Sequence, residues 1–528
     1  MKGAEQEKQV EANEAATLLL CLLWELLHDG RNYLFQGAKP VQVRRCLPNT
    51  KPFEGTLAEP PIRILLVSPR PEDDRAGYID HRVSALPLVT ALETLGELVE
   101  LTVLTPPTFP ALEVELQRAT EAGTPYHVVH FDGHGIYRKD LGLGGLCFED
   151  PQDSEKLEKR RSQIIDAKDL AAVIRDHRIP LFFLEACESA KAEVNPTTSV
   201  VAALLDEGVA SVVAMSHTVL VETARRFVES FYQQLATGAR VGEAMLAGQR
   251  ALKSNSYRLK IFGAGRLDLQ DWFVPVLYQE KEDLQLLTRV PSREIRAVDR
   301  QALKNRFGDL PLTPKHHFIG RSRELLKLER LLAQEPYAVL CGQGGEGKTT
   351  LAVELARWLV RSNRFDRAAF VCFENIYDVR TAVDQIGKQL VLNYSVAEYP
   401  DADLLTKALQ PIERELRNDR TLIILDNMEV ILPPAKSDAG TAPGLVARFE
   451  PEALKTLFDL CQKLLAVDGT RLLFTSREAL PAPFDTKSQQ VTLSRLVKQD
   501  AIELVRQAMT AQGLTPKEDE LGGTEPEI

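Results

Sequence analysis

Gly342-Gln343-Gly344-Gly345-Glu346-Gly347-Lys348-Thr349 is the stretch whose reading decides the fold of the second half of the chain. It satisfies the G-x-x-x-x-G-K-[ST] pattern of a phosphate-binding loop. Glycines let successive backbone N–H groups point into one concavity that cradles phosphate oxygens. Lys348 supplies a mobile cation for the β- and γ-phosphates, and the Thr349 hydroxyl can ligate Mg²⁺. Ala338, Val339 and Leu340 make an apolar strand before the loop. Leu351, Leu355, Trp358 and Leu359 follow it at helical spacing. That helix adds its positive N-terminal end to the site. The expected ligand is ATP or ADP with Mg²⁺.

Working outward, Leu422-Ile423-Ile424-Leu425-Asp426 is four apolar residues ending in a carboxylate. This is a Walker-B pattern, in which Asp426 holds Mg²⁺ through water. A strand ending in aspartate is common, but its place downstream of a phosphate loop strengthens the reading. Asn427 comes next, where many ATPases place an acid that polarises the attacking water. An amide cannot take that proton. Glu429 is a substitute whose geometry the sequence leaves open, so slow hydrolysis is expected, closer to a switch than a motor. Arg471 to Arg477 (RLLFTSR) is a further strand ending in polar groups. Thr475 or Arg477 could report on the γ-phosphate; the alternative is a solvated arginine after a strand. Strands are also expected over Tyr337 to Leu340, Ala369 to Phe373 and Gln490 to Leu493.

The whole chain has 528 residues, enough for two to four domains. Its hydrophobic share of 44% and charged share of 26% are ordinary for soluble globular protein. The net charge of −11 argues against a bulk nucleic-acid or membrane-surface binder. Seven cysteines lie scattered without CxxC pairing, so neither a zinc site nor a disulfide framework is read. Cys187, Cys341 and Cys372 sit near the ends of apolar runs, where buried free thiols fit a reducing cytosol. The apolar stretch from Ala15 to Leu27 contains Glu25 and is too short to span a bilayer. The acidic residues before it are wrong for a signal peptide. A cytoplasmic protein is expected.

The first half alternates strand-like and helix-like segments. Strands are expected over Ile62 to Val67, Leu98 to Leu104, Tyr126 to Phe131, Leu181 to Leu184 and Ala210 to Met215. Helices are expected over Ile79 to Leu95, Ala167 to Arg175, Thr198 to Glu207, Glu222 to Ala236 and Val241 to Leu252. Continuous apolar strands alternating with helices argue for a parallel sheet covered on both faces. His130-Phe-Asp132-Gly-His134-Gly135 closes one strand and Glu185-Ala-Cys187 closes another. Sites in α/β sheets gather at such carboxyl ends. A thiol nucleophile needs a neighbouring base and an oxyanion hole. Caspases carry their histidine about 50 residues before a Q-A-C motif. The interval from His134 to Cys187 matches that, with Glu185 where the glutamine would stand. The bland alternative is a free cysteine at a buried strand end and a His-Gly turn.

The first half resembles the CHAT family of caspase-like peptidases. WELL (Trp24 to Leu27), VVHFDGHG (Val128 to Gly135), FLEACESA (Phe183 to Ala190), LLDEGVASVVA (Leu204 to Ala214), FYQQLATGARVGEAM (Phe231 to Met245) and DWFVPVLY (Asp271 to Tyr278) stand in that family's order. The resemblance implies His134 as base and Cys187 as nucleophile, with backbone N–H groups of Gly135 and Cys187 forming the oxyanion hole. It implies that His127 and His130 are strand residues. Asp132 and Glu185 could line a pocket for a basic substrate residue, or be structural.

The second half resembles NB-ARC and related STAND-type signalling ATPases. Phe318-Ile-Gly-Arg321 with Glu324-Leu325 looks like their opening motif, which lies against the nucleotide base, so Arg321 joins the expected nucleotide site with Gly342 to Thr350, Asp426 and Arg477. That family continues with a helical module, a winged helix and sensor repeats, none of which can be read here. The chain is then either a fragment of a longer receptor or a naturally short relative.

The expected fold class is α/β: two three-layer αβα domains, a caspase-like sheet followed by a P-loop NTPase parallel sheet. The expected divisions are an N-terminal extension (1–21), the CHAT domain (22–279), a linker (280–315), the NB-ARC/STAND-type domain (316–514) and a polar tail (515–528). Three functions fit. The first is a signalling protease cutting a protein substrate under nucleotide control, which in related architectures serves conflict or cell-death responses and often involves self-assembly. The second is a nucleotide-dependent scaffold with a non-catalytic caspase-like module, and the third a stand-alone NTPase.

Overall fold

The computed structural model describes residues 19, 22–37, 39–46, 57–138, 143–188, 196–217, 220–261, 265–279, 282–289, 305–312, 318–376, 378–432 and 449–514. The expected extension over 1–21, except residue 19, and the expected tail over 515–528 lie outside these. The chain divides into two units, 1–154 with 159–298 and 155–158 with 299–528.

In the first unit the apolar runs become strands of one sheet, because burial on both faces rewards continuous apolar sequence. In chain order they are β1 (Arg45–Cys46), β2 (Ile62–Val67), β3 (Val99–Val103), β4 (Val128–Arg138), β5 (Leu143–Glu149), β6 (Ser162–Asp166), β7 (Leu181–Glu188), β8 (Ser211–Met215), β9 (Tyr257–Ile261), β10 (Gly265–Asp268) and β11 (Pro275–Gln279). The sheet order is β1-β11-β8-β7-β4-β2-β3, with β5 and β6 extending it from β4; β9 and β10 form a separate pair. The helices are α1 (His81–Glu93), α2 (Phe109–Glu121), α3 (Ala167–Asp176), α4 (Pro196–Asp206), α5 (Val221–Ala236) and α6 (Val241–Ser254).

This sheet is mixed rather than parallel throughout. The strands β3, β2, β4, β7 and β8 run parallel, but β11 joins β8 antiparallel, and β5 joins β4 antiparallel. Apolar runs report burial, not strand direction, so the expectation of a parallel sheet had no access to either. One face packs Val129, Phe131, Phe182 and Leu184 against Leu116 of α2, Ile174 of α3 and Leu204 of α4. The other face carries Phe183, whose ring meets Phe227, Phe231 and Tyr232 of α5 at 5.6–6.2 Å. Residues 282–289, expected as linker, pack back onto this unit: Leu287 is buried and bridges to Ala58.

The second unit holds α7 (Ser322–Gln334), β12 (Tyr337–Cys341), α8 (Lys348–Arg361), β13 (Arg367–Cys372), α9 (Val379–Leu390), α10 (Gln410–Asn418), β14 (Thr421–Asp426), α11 (Pro451–Leu465), β15 (Thr470–Ser476), β16 (Gln490–Thr492) and α12 (Lys498–Ala511). Its five described strands are all parallel in the order β13-β14-β15-β12-β16. The order places β15 between the strand that feeds the phosphate loop and the strand that ends in Asp426. Groups at the carboxyl ends of three neighbouring strands therefore converge.

Candidate functional site

In the first unit the sheet register brings together the two residues singled out from spacing. His134 of β4 pairs with Cys187 of β7 in a parallel ladder. Neighbouring strands run about 4.8 Å apart, so the two backbones stand side by side. The Cys187 side chain lies outside what the structure describes. The His134 ring is oriented by a third group the sequence did not reveal: its Nε2 lies 2.6 Å from the Gly77 carbonyl oxygen. A carbonyl only accepts, so Nε2 carries the proton and Nδ1 is the unprotonated nitrogen. No partner for Nδ1 occurs among the described residues. Burial lowers the His134 pKa, against the opposing effect of the Gly77 hydrogen bond. The ring is therefore held neutral, the form a general base requires.

Gly135 is placed differently from the expectation of a free oxyanion donor. It sits inside β4 with ladder neighbours on both sides, Leu146 and Glu188. Among the described residues Cys187 has its ladder partner on the β4 side alone, since the pairing with β8 ends at Leu184. The strand β4 runs seven residues beyond Phe131 because β5 folds back to satisfy its edge. Nothing in the Asp132-Gly-His-Gly run announces that partner.

Asp132 and Glu185 are register partners, but their surroundings differ. Asp132 is buried and spent: its carboxylate takes Arg70 Nη2 at 2.5 Å and the Ser68 hydroxyl at 3.0 Å. Arg70 also donates its backbone N–H to Glu149, which in turn binds Arg160 Nη1 at 2.6 Å. Removing one partner of a buried ion pair costs roughly 3–5 kcal/mol because the other charge is left bare. Asp132 thus has a structural duty, which the local sequence hid because Arg70 is remote in the chain. Glu185 is 13% exposed and lies 3.3 Å from His130 Nε2, whose Nδ1 meets the Tyr232 hydroxyl at 2.9 Å. Burial raises the Glu185 carboxyl above the usual carboxylate range, opposed by the His130 contact. His130 stacks on Phe183 with ring centroids 4.3 Å apart and is wholly buried, as a strand residue should be. His127 is buried as well, its Nδ1 accepting from the Arg63 backbone N–H at 2.9 Å.

In the second unit the loop between β12 and α8 is built as the glycine pattern requires. Gly345 (φ +84°) and Gly347 (φ +88°) occupy the left-handed region, where a side chain would be strained. Gly344 and Gly345 are exposed, leaving the loop backbone accessible. Lys348 folds over the loop, its Nζ donating to the carbonyls of Gly342 (2.9 Å) and Gln343 (3.1 Å). The Glu346 carboxylate accepts from the Gln343 N–H at 2.6 Å and braces the turn. Thr349 Oγ1 donates to Asp426 at 2.9 and 3.1 Å from its two oxygens, and the Thr475 hydroxyl donates to the same carboxylate at 2.6 Å. Burial raises the Asp426 carboxyl, opposed by those two hydroxyls. Hard oxygen donors brought together in this way suit Mg²⁺. Thr350, half-buried, stands in the first turn of α8.

Arg321 lies behind the loop as a strut. Its guanidinium donates to the Glu346 carbonyl (3.3 Å), to the Ser494 carbonyl and to Glu324 Oε1 (2.9 Å). Its Nε is buried without a partner among the described residues. Arg477 stands over the loop: a Cβ built on Gly344 would lie 3.5 Å from its Cζ. Among the described residues no group of three or more His, Cys, Asp or Glu side chains could hold a metal by itself. No described helix is long and apolar enough to cross a membrane.

These features define an α/β protein that joins a histidine–cysteine register pair to a phosphate-binding loop. The chain belongs to the CHAT domain family, whose model matches residues 16–324, more than half of its length. An NB-ARC domain follows over residues 325–429. That boundary falls inside α7, so it is not the packing boundary, which lies at 298/299. A stretch of 120 residues is 31% identical to an uncharacterized WD repeat-containing protein of Nostoc sp., covering 22% of this chain and 10% of that protein. The chain therefore matches only about a tenth of that relative. Among solved structures, the ORC2 protein of Aeropyrum pernix in its ADPNP-ADP complexes aligns at 20% identity over 40% of this chain and 56% of that one, with a TM-score of 0.29. A STAND protein with a tetratricopeptide repeat sensor from Pyrococcus horikoshii aligns at 17% identity over 39% and 27%, with a TM-score of 0.25.

Proposed function

We propose that this chain is a nucleotide-regulated cysteine endopeptidase of the caspase-like type, acting on a protein substrate in a bacterial conflict or cell-death response. The observation that carries the reading is the register of His134 opposite Cys187, with His134 held by Gly77 so that Nδ1 is the basic nitrogen. In the first step Nδ1 takes the Cys187 thiol proton and the thiolate attacks the scissile carbonyl carbon. The Cys187 N–H then serves the tetrahedral oxyanion, with Gly135 beside it. His134 returns the proton to the leaving amine, and water releases the acyl group from sulfur. Glu185, partly exposed beside His130, would be the acid that meets a basic substrate side chain on the amino side of the cut bond, while Asp132 holds Arg70.

The second unit supplies the control. Residues 342–350 would hold the phosphates of ATP or ADP, Arg477 would meet the γ-phosphate, and Thr349 with Asp426 would hold Mg²⁺. The metal, when bound, neutralises phosphate charge. We place the reaction in the cytoplasm, where Cys46, Cys147, Cys341, Cys372 and Cys461, all free, stay reduced. Self-assembly on activation belongs to the same reading, and the NB-ARC match supports it. The test is labelling by a thiol-reactive peptide bearing Arg or Lys at the reactive end, paired with a survey of new protein termini in expressing cells. Labelling and new termini should vanish in both Cys187→Ala and His134→Ala. Termini that persist in Cys187→Ala would refute the proposal.

A further inference from the structure

The position after the Walker-B aspartate is spent on architecture. Asn427 adopts a left-handed backbone (φ 62°), its N–H donates to Thr475 Oγ1 at 3.0 Å, and its Nδ2 reaches the Cys372 sulfur at 3.5 Å. That left-handed residue starts the short turn Met428–Val430, which carries Glu429. Glu429 Oε1 accepts from Arg477 Nε at 3.0 Å, while Oε2 is buried with no partner among the described residues. A buried carboxylate oxygen without a donor is costly, and such an orphan marks a place where water or substrate belongs. The Glu429 charge is also near enough to Asp426 to help raise its carboxyl. Arg477 closes the arrangement: its Nη2, like its Cζ, would be 3.5 Å from a Cβ on Gly344, and neither Nη has a partner among the described residues. Glu429, Arg477 and the exposed loop backbone therefore share one edge of the phosphate site.

We propose that Glu429 is the carboxylate that takes the proton of the attacking water in nucleotide hydrolysis, and that Arg477 holds it only until the γ-phosphate arrives. The proposal rests on the reading of residues 342–349 as the phosphate loop. The Arg477–Glu429 pair is a weak restraint, since the arginine side chain is 61% exposed and such pairs contribute about 0–1 kcal/mol. A γ-phosphate offers the guanidinium a stronger, bidentate partner. Its arrival draws Arg477 toward the loop and leaves Glu429 facing the water. The water oxygen then bonds to the γ-phosphorus as the bond from that phosphorus to the β–γ bridging oxygen breaks. The diphosphate leaves with the electron pair, and the water proton passes to Glu429 Oε2 and on to solvent. The products are nucleoside diphosphate and inorganic phosphate.

The experiment uses the full chain. Binding of ADP and of a non-hydrolysable ATP analogue is measured by calorimetry, and phosphate release from ATP is measured in single turnover. Glu429→Gln keeps the shape of the side chain, and its melting temperature checks the fold. It should bind both nucleotides as the wild type does, while phosphate release falls by about 100-fold or more, the range for losing a general base. Arg477→Ala should weaken binding of the ATP analogue and spare ADP. Phosphate release from Glu429→Gln within a few-fold of wild type overturns the proposal. So does loss of binding to both nucleotides, which would make Glu429 a strut, or a wild type that binds ATP and releases no phosphate. Failure of the wild type to bind either nucleotide, in the way expected only of Lys348→Ala, would instead sink the phosphate-loop reading.

Discussion

At the scale of single residues, the His134 ring ties sequence to chemistry most directly. Burial lowers its pKa, so the neutral base persists below the usual histidine value of about 6.5. Protonation removes the base, so cleavage falls as pH drops through the folded-state pKa. We expect the acid limb of kcat/KM for a peptide substrate to lie below that value. A limb well above it would place the titrating base elsewhere. The pairing of His134 with Cys187 across β4 and β7 was anticipated from the chain, because the two motifs carry their own residue types and spacing. Gly77 was not: it contributes a backbone carbonyl, which every residue has, so no side chain marks it. Arg70 escaped notice for a related reason, since an arginine after a strand reads as solvated until its buried carboxylate partner is seen.

At the scale of elements, the paired strands β4 and β7 set the site. Phe183 lies on β7, four residues before Cys187, and joins His130, Phe227, Phe231 and Tyr232 in one aromatic cluster. Truncating a fully buried phenylalanine costs about 3–5 kcal/mol. Phe183→Ala should lower the unfolding free energy of the first unit by about that amount in urea titration, and with it the labelling of Cys187. A loss under about 1 kcal/mol would mean the cluster collapses to refill the cavity. The starts of the strands with apolar runs lay within two residues of expectation, Ile62–Val67 without change, but β4 and β7 run seven and four residues past their expected ends. β5 and β6 were not foreseen, because their glycines and polar residues are tolerated only where β4 offers an edge to pair with.

At the scale of the whole molecule, nucleotide binding should register as stability. A ligand at a hundred times its Kd stabilises the folded state by about 2.7 kcal/mol. ATP with Mg²⁺ should therefore raise the melting temperature of the wild type and leave that of Lys348→Ala unmoved. In the same variant, cleavage should lose its response to nucleotide while Cys187 stays reactive toward a small thiol reagent. Nucleotide-dependent cleavage surviving in Lys348→Ala would separate the phosphate loop from the output.

The sequence alone determined the class of each half: the phosphate loop, the Walker-B aspartate, the His134 and Cys187 motifs and the apolar strands that carry them. These are local patterns, fixed by chemistry that demands particular residues at short spacing. Tertiary structure alone decided which groups are free to act. It spent Asp132 on Arg70, Arg321 on the back of the loop and Asn427 on Thr475 and Cys372. It left Nδ1 of His134 and one oxygen of Glu429 without partners among the described residues. The physical reason is that hydrogen-bond satisfaction is a property of contacts between distant parts of the chain, and no local pattern records it.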